Sequence, residues 1–115
     1  MLLALACAGR AKPAETPAGP VLLDEPALMA SLRSAANAEP EKALSLCEEG
    51  ERRFGESVFA EERRALAIRA LIDLQRIGAA RSRAYGFLER YPDGPFSANI
   101  AAMTGVHAPP KKPVR

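Results

Sequence analysis

Three features of the 115-residue sequence predict an all-α fold. Alanine dominates, β-branched residues are few, and aromatics make up only 5% of the chain with no Trp, a composition that favours helix over sheet. Apolar residues recur at steps of three and four in several separate segments. The third feature is residues 65–77, Ala-Leu-Ala-Ile-Arg-Ala-Leu-Ile-Asp-Leu-Gln-Arg-Ile. Here Ala67, Leu71 and Leu74 form one apolar line, and Ala65, Ile68 and Ile72 form another beside it. A helix apolar over that much of its circumference is covered on two sides, so this segment is expected to be the central helix. The expected architecture is four to five short helices in two stacked antiparallel hairpins with a C-terminal capping helix.

The first helix is expected from near Asp24, a residue that can cap, with Pro26 in the first turn where its missing N–H is harmless. Leu28, Leu32, Ala35 and Ala36 follow at helical spacing. Pro40 opens a second helix whose buried line is Ala43, Cys47, Gly50 and Phe54, widened by Leu44 and Leu46. Gly55 and Ser57 mark the next turn, with Ser57 as N-cap and Glu61 and Glu62 in the first turn of the central helix, where negative charge is favoured. Gly78 is expected in the left-handed position that ends it. Ala80, Ala84, Phe87 and Tyr91 then line a fourth helix. A fifth begins at Pro95, buries Phe96, Ile100 and Met103, and stops at Gly105. Residues 24–104 are therefore read as the folded domain.

The two ends differ from this core. Residues 1–23 begin with Met-Leu-Leu-Ala-Leu-Ala and continue after Cys7 into a stretch holding Pro13, Pro17 and Pro20. The apolar run is too short to cross a bilayer, and the stretch after it has too little to bury, so it is read as a linker. Residues 105–115, with Pro109, Pro110, Lys111, Lys112, Pro113 and Arg115, are read as a disordered basic tail.

Charge and chemistry exclude several functions. The formal net charge is +2, too small to imply nucleic acid. Its distribution says more: residues 39–62 carry eight Glu against Lys42, Arg52 and Arg53, whereas residues 63–90 carry seven Arg against Asp73 and Glu89. Successive helices of opposite sign are expected to pair with each other. Arg69, Arg76, Arg83 and Arg90 recur every seven residues, but Gly78 divides them between two helices, and no aromatics interleave for base stacking. No nucleophile stands beside a base. Glu48-Glu49 and Glu61-Glu62 are neighbours whose side chains diverge on a helix. No Gly-rich phosphate loop occurs, and Cys7, Cys47 and His107 lack zinc-ligand spacing. No catalytic, cofactor-binding or metal site is expected, and Cys47 is read as a buried, inert thiol.

A repeat organises the helical region. Shifting the chain by 37 residues places Ala43 on Ala80, Cys47 on Ala84, Gly50 on Phe87, Arg53 on Arg90, Phe54 on Tyr91 and Phe59 on Phe96. Ala80, Ala84, Phe87 and Tyr91-Pro92 resemble the second helix of a tetratricopeptide repeat. The run Arg-Tyr-Pro-Asp-Gly-Pro-Phe at residues 90–96 is similar to the inter-repeat turn of bacterial envelope lipoproteins of that type. The period of 37, and Gly55 where the first copy should have proline, make this a degenerate version. The resemblance implies a protein–protein interaction scaffold. It also implies a groove on the first helix of each hairpin, faced here by Glu62, Arg69, Ile72 and Asp73 as partner-binding candidates, against the plainer reading of Ile72 as core and the charges as solvent-facing.

At the other end, Ala4-Leu5-Ala6-Cys7 resembles the close of a bacterial lipoprotein signal, in which the cysteine becomes lipidated. It is read as a truncated signal, with the missing basic and apolar residues expected upstream. The implied location is the bacterial cell envelope, membrane-anchored through Cys7 or periplasmic. The alternative is a cytoplasmic regulatory or adaptor domain. Twelve Arg against four Lys fits a GC-rich genome.

Overall fold

The structure, a computed structural model, describes residues 22–107. The apolar start, Cys7, the Pro-rich stretch after it and the basic tail beyond His107 lie outside the described residues. Those described form five helices: α1 (Glu25–Ala35), α2 (Pro40–Phe54), α3 (Ala60–Asp73), α4 (Ile77–Arg90) and α5 (Ser97–Thr104). Each of the first four is joined to the next by a short connection and packs against it, giving two stacked antiparallel hairpins, α1–α2 and α3–α4, with α5 closing the second. Helix α3 packs against all four of the others, whereas the backbones of α2 and α4 stay apart and the Glu48 and Arg83 side chains bridge them, at 4.0 Å. The odd-numbered helices thus form a continuous spine.

Local chemistry accounts for several of the helix ends. Asp24 caps α1, its carboxylate accepting from the Ala27 N–H at 3.0 Å, and Pro26 and Pro40 sit in first turns. Leu28, Met29, Leu32, Ala43, Cys47, Ile68, Leu71, Ala80, Ala84, Phe87, Leu88 and Ile100 make up the core. Its alanines let the helices approach closely. Gly105, at φ +73°, ends α5.

Four details depart from the sequence reading. The N-cap of α3 is Phe59 rather than Ser57. The Ser57 hydroxyl accepts from the Phe59 N–H, but its other contacts are Glu25 and Arg63, which draw it away from the helix. The left-handed residue after α3 is Gln75, φ +65°, not Gly78. The Gln75 N–H donates to Ile72 O and the Arg76 N–H to Leu71 O, the paired bonds of a Schellman ending. Helix α4 therefore starts three residues earlier than Ala80, so Ile77 belongs to it, 45% exposed, and Gly78 lies in its first turn. Finally, Val106 is buried, its N–H donating to Thr104 Oγ1 at 3.2 Å. The packed domain extends past Gly105 instead of ending at residue 104.

The 37-residue shift is built into the structure. It carries the start of α2 onto that of α4, Pro40 onto Ile77, and the start of α3 onto that of α5, Ala60 onto Ser97. Phe59 and Phe96 are both N-caps with near-identical backbones, φ −95°, ψ 3° and φ −102°, ψ −6°. At the helix ends, the Arg53 guanidinium lies 4.6 Å from the centre of the Phe54 ring, and that of Arg90 lies 5.6 Å from the centre of Tyr91.

Candidate functional site

The acidic and basic runs meet across the helix interfaces. Arg63, on the first turns of α3, is fully buried. Its fork donates to Glu51 (3.0 and 3.2 Å), Glu25 (3.3 Å) and the Gly55 carbonyl (2.5 Å). A buried cation is tolerable only when its donors are matched, and here α1, α2 and the turn after α2 supply the acceptors. Arg64, its neighbour, shares the Glu51 carboxylate with it. It donates to Glu51 at 2.8 and 3.0 Å, to Glu56 at 2.8 and 3.3 Å and to the Tyr91 hydroxyl at 2.9 Å. Arg90 closes the chain of contacts by donating to both oxygens of Glu56, at 2.6 and 3.2 Å.

This arrangement sets the charge states. Hydrogen bonds from Arg64 and Arg90 hold the Glu56 carboxyl down at about 2. At Glu51, burial pushes the carboxyl up, but the hydrogen bonds from Arg64 and Arg63 outweigh it and the net shift is downward. The carboxylates of Glu51 and Glu56 push Arg64 upward. Glu51, Glu56 and Arg64 are therefore charged through the physiological range.

Beside this network opens a cleft of about 640 Å³. Glu56 and Arg64 form one side, and Arg83, Gly86, Phe87, Glu89, Arg90 and Tyr91 of α4 and its end form the other. The Phe87 and Tyr91 rings meet at 4.9 Å between centres, tilted by 50°. A Cβ on Gly86 would meet nothing within 4 Å, so α4 presents bare backbone to the opening. The cleft thus sets charged side chains around the partly exposed Tyr91 and the buried Phe87.

The four candidate groove residues lie elsewhere, on α3. Glu62 accepts from Arg33 Nε and Nη2, both at 2.7 Å, and so ties α3 to α1. Arg69 and Asp73 approach to 3.8 Å one turn apart, and Ile72 is half-buried against the core. The structure thus brings Arg69 and Asp73 together and leaves Glu62 engaged with another helix. None of the four lines the cleft. Cys47 is buried, its thiol donating to Arg63 O at 3.3 Å, and desolvation pushes it up to about 12. Among the described residues no three His, Cys, Asp or Glu side chains come together as a metal site, and no helix is long and apolar enough to cross a membrane.

Sequence reasoning passed over Arg63 and Glu56. The shift contained the signal for Arg63: it falls on Ile100, a core position, while Gly50 falls on Phe87. For Glu56 no local pattern announced that two arginines 26 residues apart would converge on it.

No family model, curated protein or solved structure matches this chain.

Proposed function

We propose that the chain is a non-catalytic protein–protein interaction module, a tetratricopeptide-like helical scaffold that takes a segment of a partner protein into the cleft beside Phe87 and Tyr91. The observation that carries this reading is the cleft itself. Tyr91 is partly exposed to it, its charged edge is fixed by Glu56 between Arg64 and Arg90, and side chains held in place before binding lose little entropy on association.

The module is tethered at a bacterial cell envelope through a lipidated Cys7, with the Pro-rich residues after it as a spacer. The support for this part is the sequence Ala4-Leu5-Ala6-Cys7 and the composition that follows it.

A photo-crosslinking amino acid in place of Glu89, a residue lining the cleft, tests the first part in native cells. A discrete adduct with one partner protein is expected, and it should disappear when Gly86→Leu fills the opening. Absence of any adduct, or an adduct indifferent to Gly86→Leu, overturns the assignment. Labelling with radioactive palmitate tests the tether: incorporation that Cys7→Ser abolishes is expected, and an unlabelled chain removes the tether while leaving the module.

A further inference from the structure

Among the described residues, the last helix of the stack is left partly uncovered. By the 37-residue shift α5 stands where α3 stands one repeat earlier. Yet α3 is covered by four helices, and among the described residues α5 is covered only by α3 and α4. Beside the first turns of α5 lies a second cleft, of about 360 Å³, bordered by Leu88, Asp93, Gly94, Ala98 and Ala101. Its counterparts in the first copy are Glu51, Glu56, Ser57, Glu61 and Arg64. There the Arg64 guanidinium lies between Glu51 and Glu56, and the C-terminal end of α4 packs against that group beside the cleft at Phe87. Arg90 reaches Glu56 at 2.6 Å, the Tyr91 hydroxyl accepts from Arg64 at 2.9 Å, and Gly94 lies against the Glu61 carboxylate. In the second copy Ala101 replaces Arg64 and Leu88 replaces Glu51. Ala102 tells the same story, being exposed where its counterpart Ala65 is buried.

We propose that this end of the stack is a docking surface for one helix of a partner protein, seated on α5 as α4 is seated on α3. The last turn of that helix carries a basic side chain that pairs with Asp93 and a large apolar or aromatic side chain that fills the space over Ala101 and Leu88. The template is the molecule's own: Glu56, the counterpart of Asp93, holds two guanidiniums at once, so an acid at this position accepts an incoming cation alongside its other contacts. A second copy of this chain does not supply the helix. Its two helix ends of that kind, Arg53-Phe54 and Arg90-Tyr91, are already engaged, Arg53 with Glu49 and Arg90 with Glu56. The surface is separate from the cleft at Phe87 and stands without it.

The natural occupant one repeat earlier provides the probe, a fluorescein-labelled peptide of residues 77–94 titrated with the full chain and followed by anisotropy. Saturable binding is expected. Ala101→Arg, which rebuilds the first copy's side chain in the space, should weaken it tenfold or more, and Asp93→Asn several-fold. A peptide carrying Arg90→Ala and Tyr91→Ala should bind at least tenfold more weakly. Circular dichroism confirms that the variants fold; Ala98→Glu replaces Ala101→Arg if the latter does not. Absence of saturable binding overturns the proposal. So does binding that Ala101→Arg leaves unchanged, the result of exchange with the chain's own α4. Sedimentation showing self-association that Ala102→Glu abolishes would give the face to a second copy instead. Crosslinking from position 89 reads the other cleft alone, so the two assignments stand or fall separately.

Discussion

A Cβ added to Gly50 would lie 2.5 Å from Cδ of Arg63, so these two residues on neighbouring helices fill one space between them. Thirty-seven residues later the same two positions hold Phe87 and Ile100, both buried. The volume has changed sides. In the first copy the long side chain comes from α3 and the helix facing it is bare; in the second the ring comes from α4 and the facing residue is smaller.

Gly50→Ala should therefore destabilise the fold. The Arg63 stem cannot step aside cheaply, because its guanidinium is fixed by Glu25, Glu51 and Gly55. Overpacking a filled site costs about 1–3 kcal/mol, more than the roughly 0.5–1 kcal/mol that Ala gains over Gly inside a helix. The double change Gly50→Phe with Arg63→Ile, which copies the second repeat, should be markedly more stable than the sum of the two single changes. Urea unfolding of the four proteins measures that coupling, and simple additivity would show that the pair is not a unit.

That exchange also explains what the sequence could and could not disclose. The spacing of Ala43, Cys47, Ala80 and Ala84 was legible because small apolar residues at helical intervals have one reading, and all four are buried. The opposite charges of residues 39–62 and 63–90 foretold pairing, as Arg64 with Glu51 and Arg90 with Glu56 bear out. What stayed hidden depends on tertiary geometry. A buried Arg63 looks like any surface arginine until its acceptors from α1 and α2 are assembled. The cleft lies between Glu56 and Arg64 on one side and the end of α4 on the other, a property of the stack and not of any segment.

Helix α3 ends on Gln75 in a left-handed conformation, which a residue bearing Cβ adopts at a cost of roughly 1–2 kcal/mol relative to Gly. Gln75→Gly should raise stability by about 1 kcal/mol. Gly78, by contrast, lies within α4 with nothing within 4 Å of its missing Cβ, so Gly78→Ala should add roughly 0.5–1 kcal/mol through helix propensity. Thermal melts that rise for both variants are expected. A fall for Gln75→Gly would mean that the Gln75 side chain matters more than its backbone.

Acid should loosen the join between the two hairpins. Glu56 holds its proton less tightly when folded, about 2 against an ordinary 4.5, because Arg64 and Arg90 favour the carboxylate. The unfolded chain thus takes up the proton first as the pH falls. The stabilisation is complete above about pH 4.5 and is lost progressively toward pH 2. Glu51 and Glu62 are shifted in the same direction and steepen the loss. Glu56→Gln should lower stability at neutral pH and flatten its pH dependence between 4.5 and 2. A variant whose acid limb parallels the wild type would exclude Glu56 from that role.

Cys47 offers a clock for opening of the core. The thiolate is the reactive form, yet desolvation holds this thiol at about 12 instead of 9.0, and the side chain is 1% exposed. In a Cys7→Ser background, a disulfide reagent at pH 8 should label Cys47 only as fast as the helices α2 and α3 part. Labelling should accelerate with urea in step with unfolding. The raised value also has an alkaline consequence: folding favours the neutral thiol, so its contribution is intact below about pH 9 and declines as the pH rises toward 12. Cys47→Ala should remove that decline at the cost of a small cavity. Rapid labelling of the native protein, at a rate insensitive to urea, would mean that the space between α2 and α3 admits solvent and that the thiol is not sealed beneath Arg63.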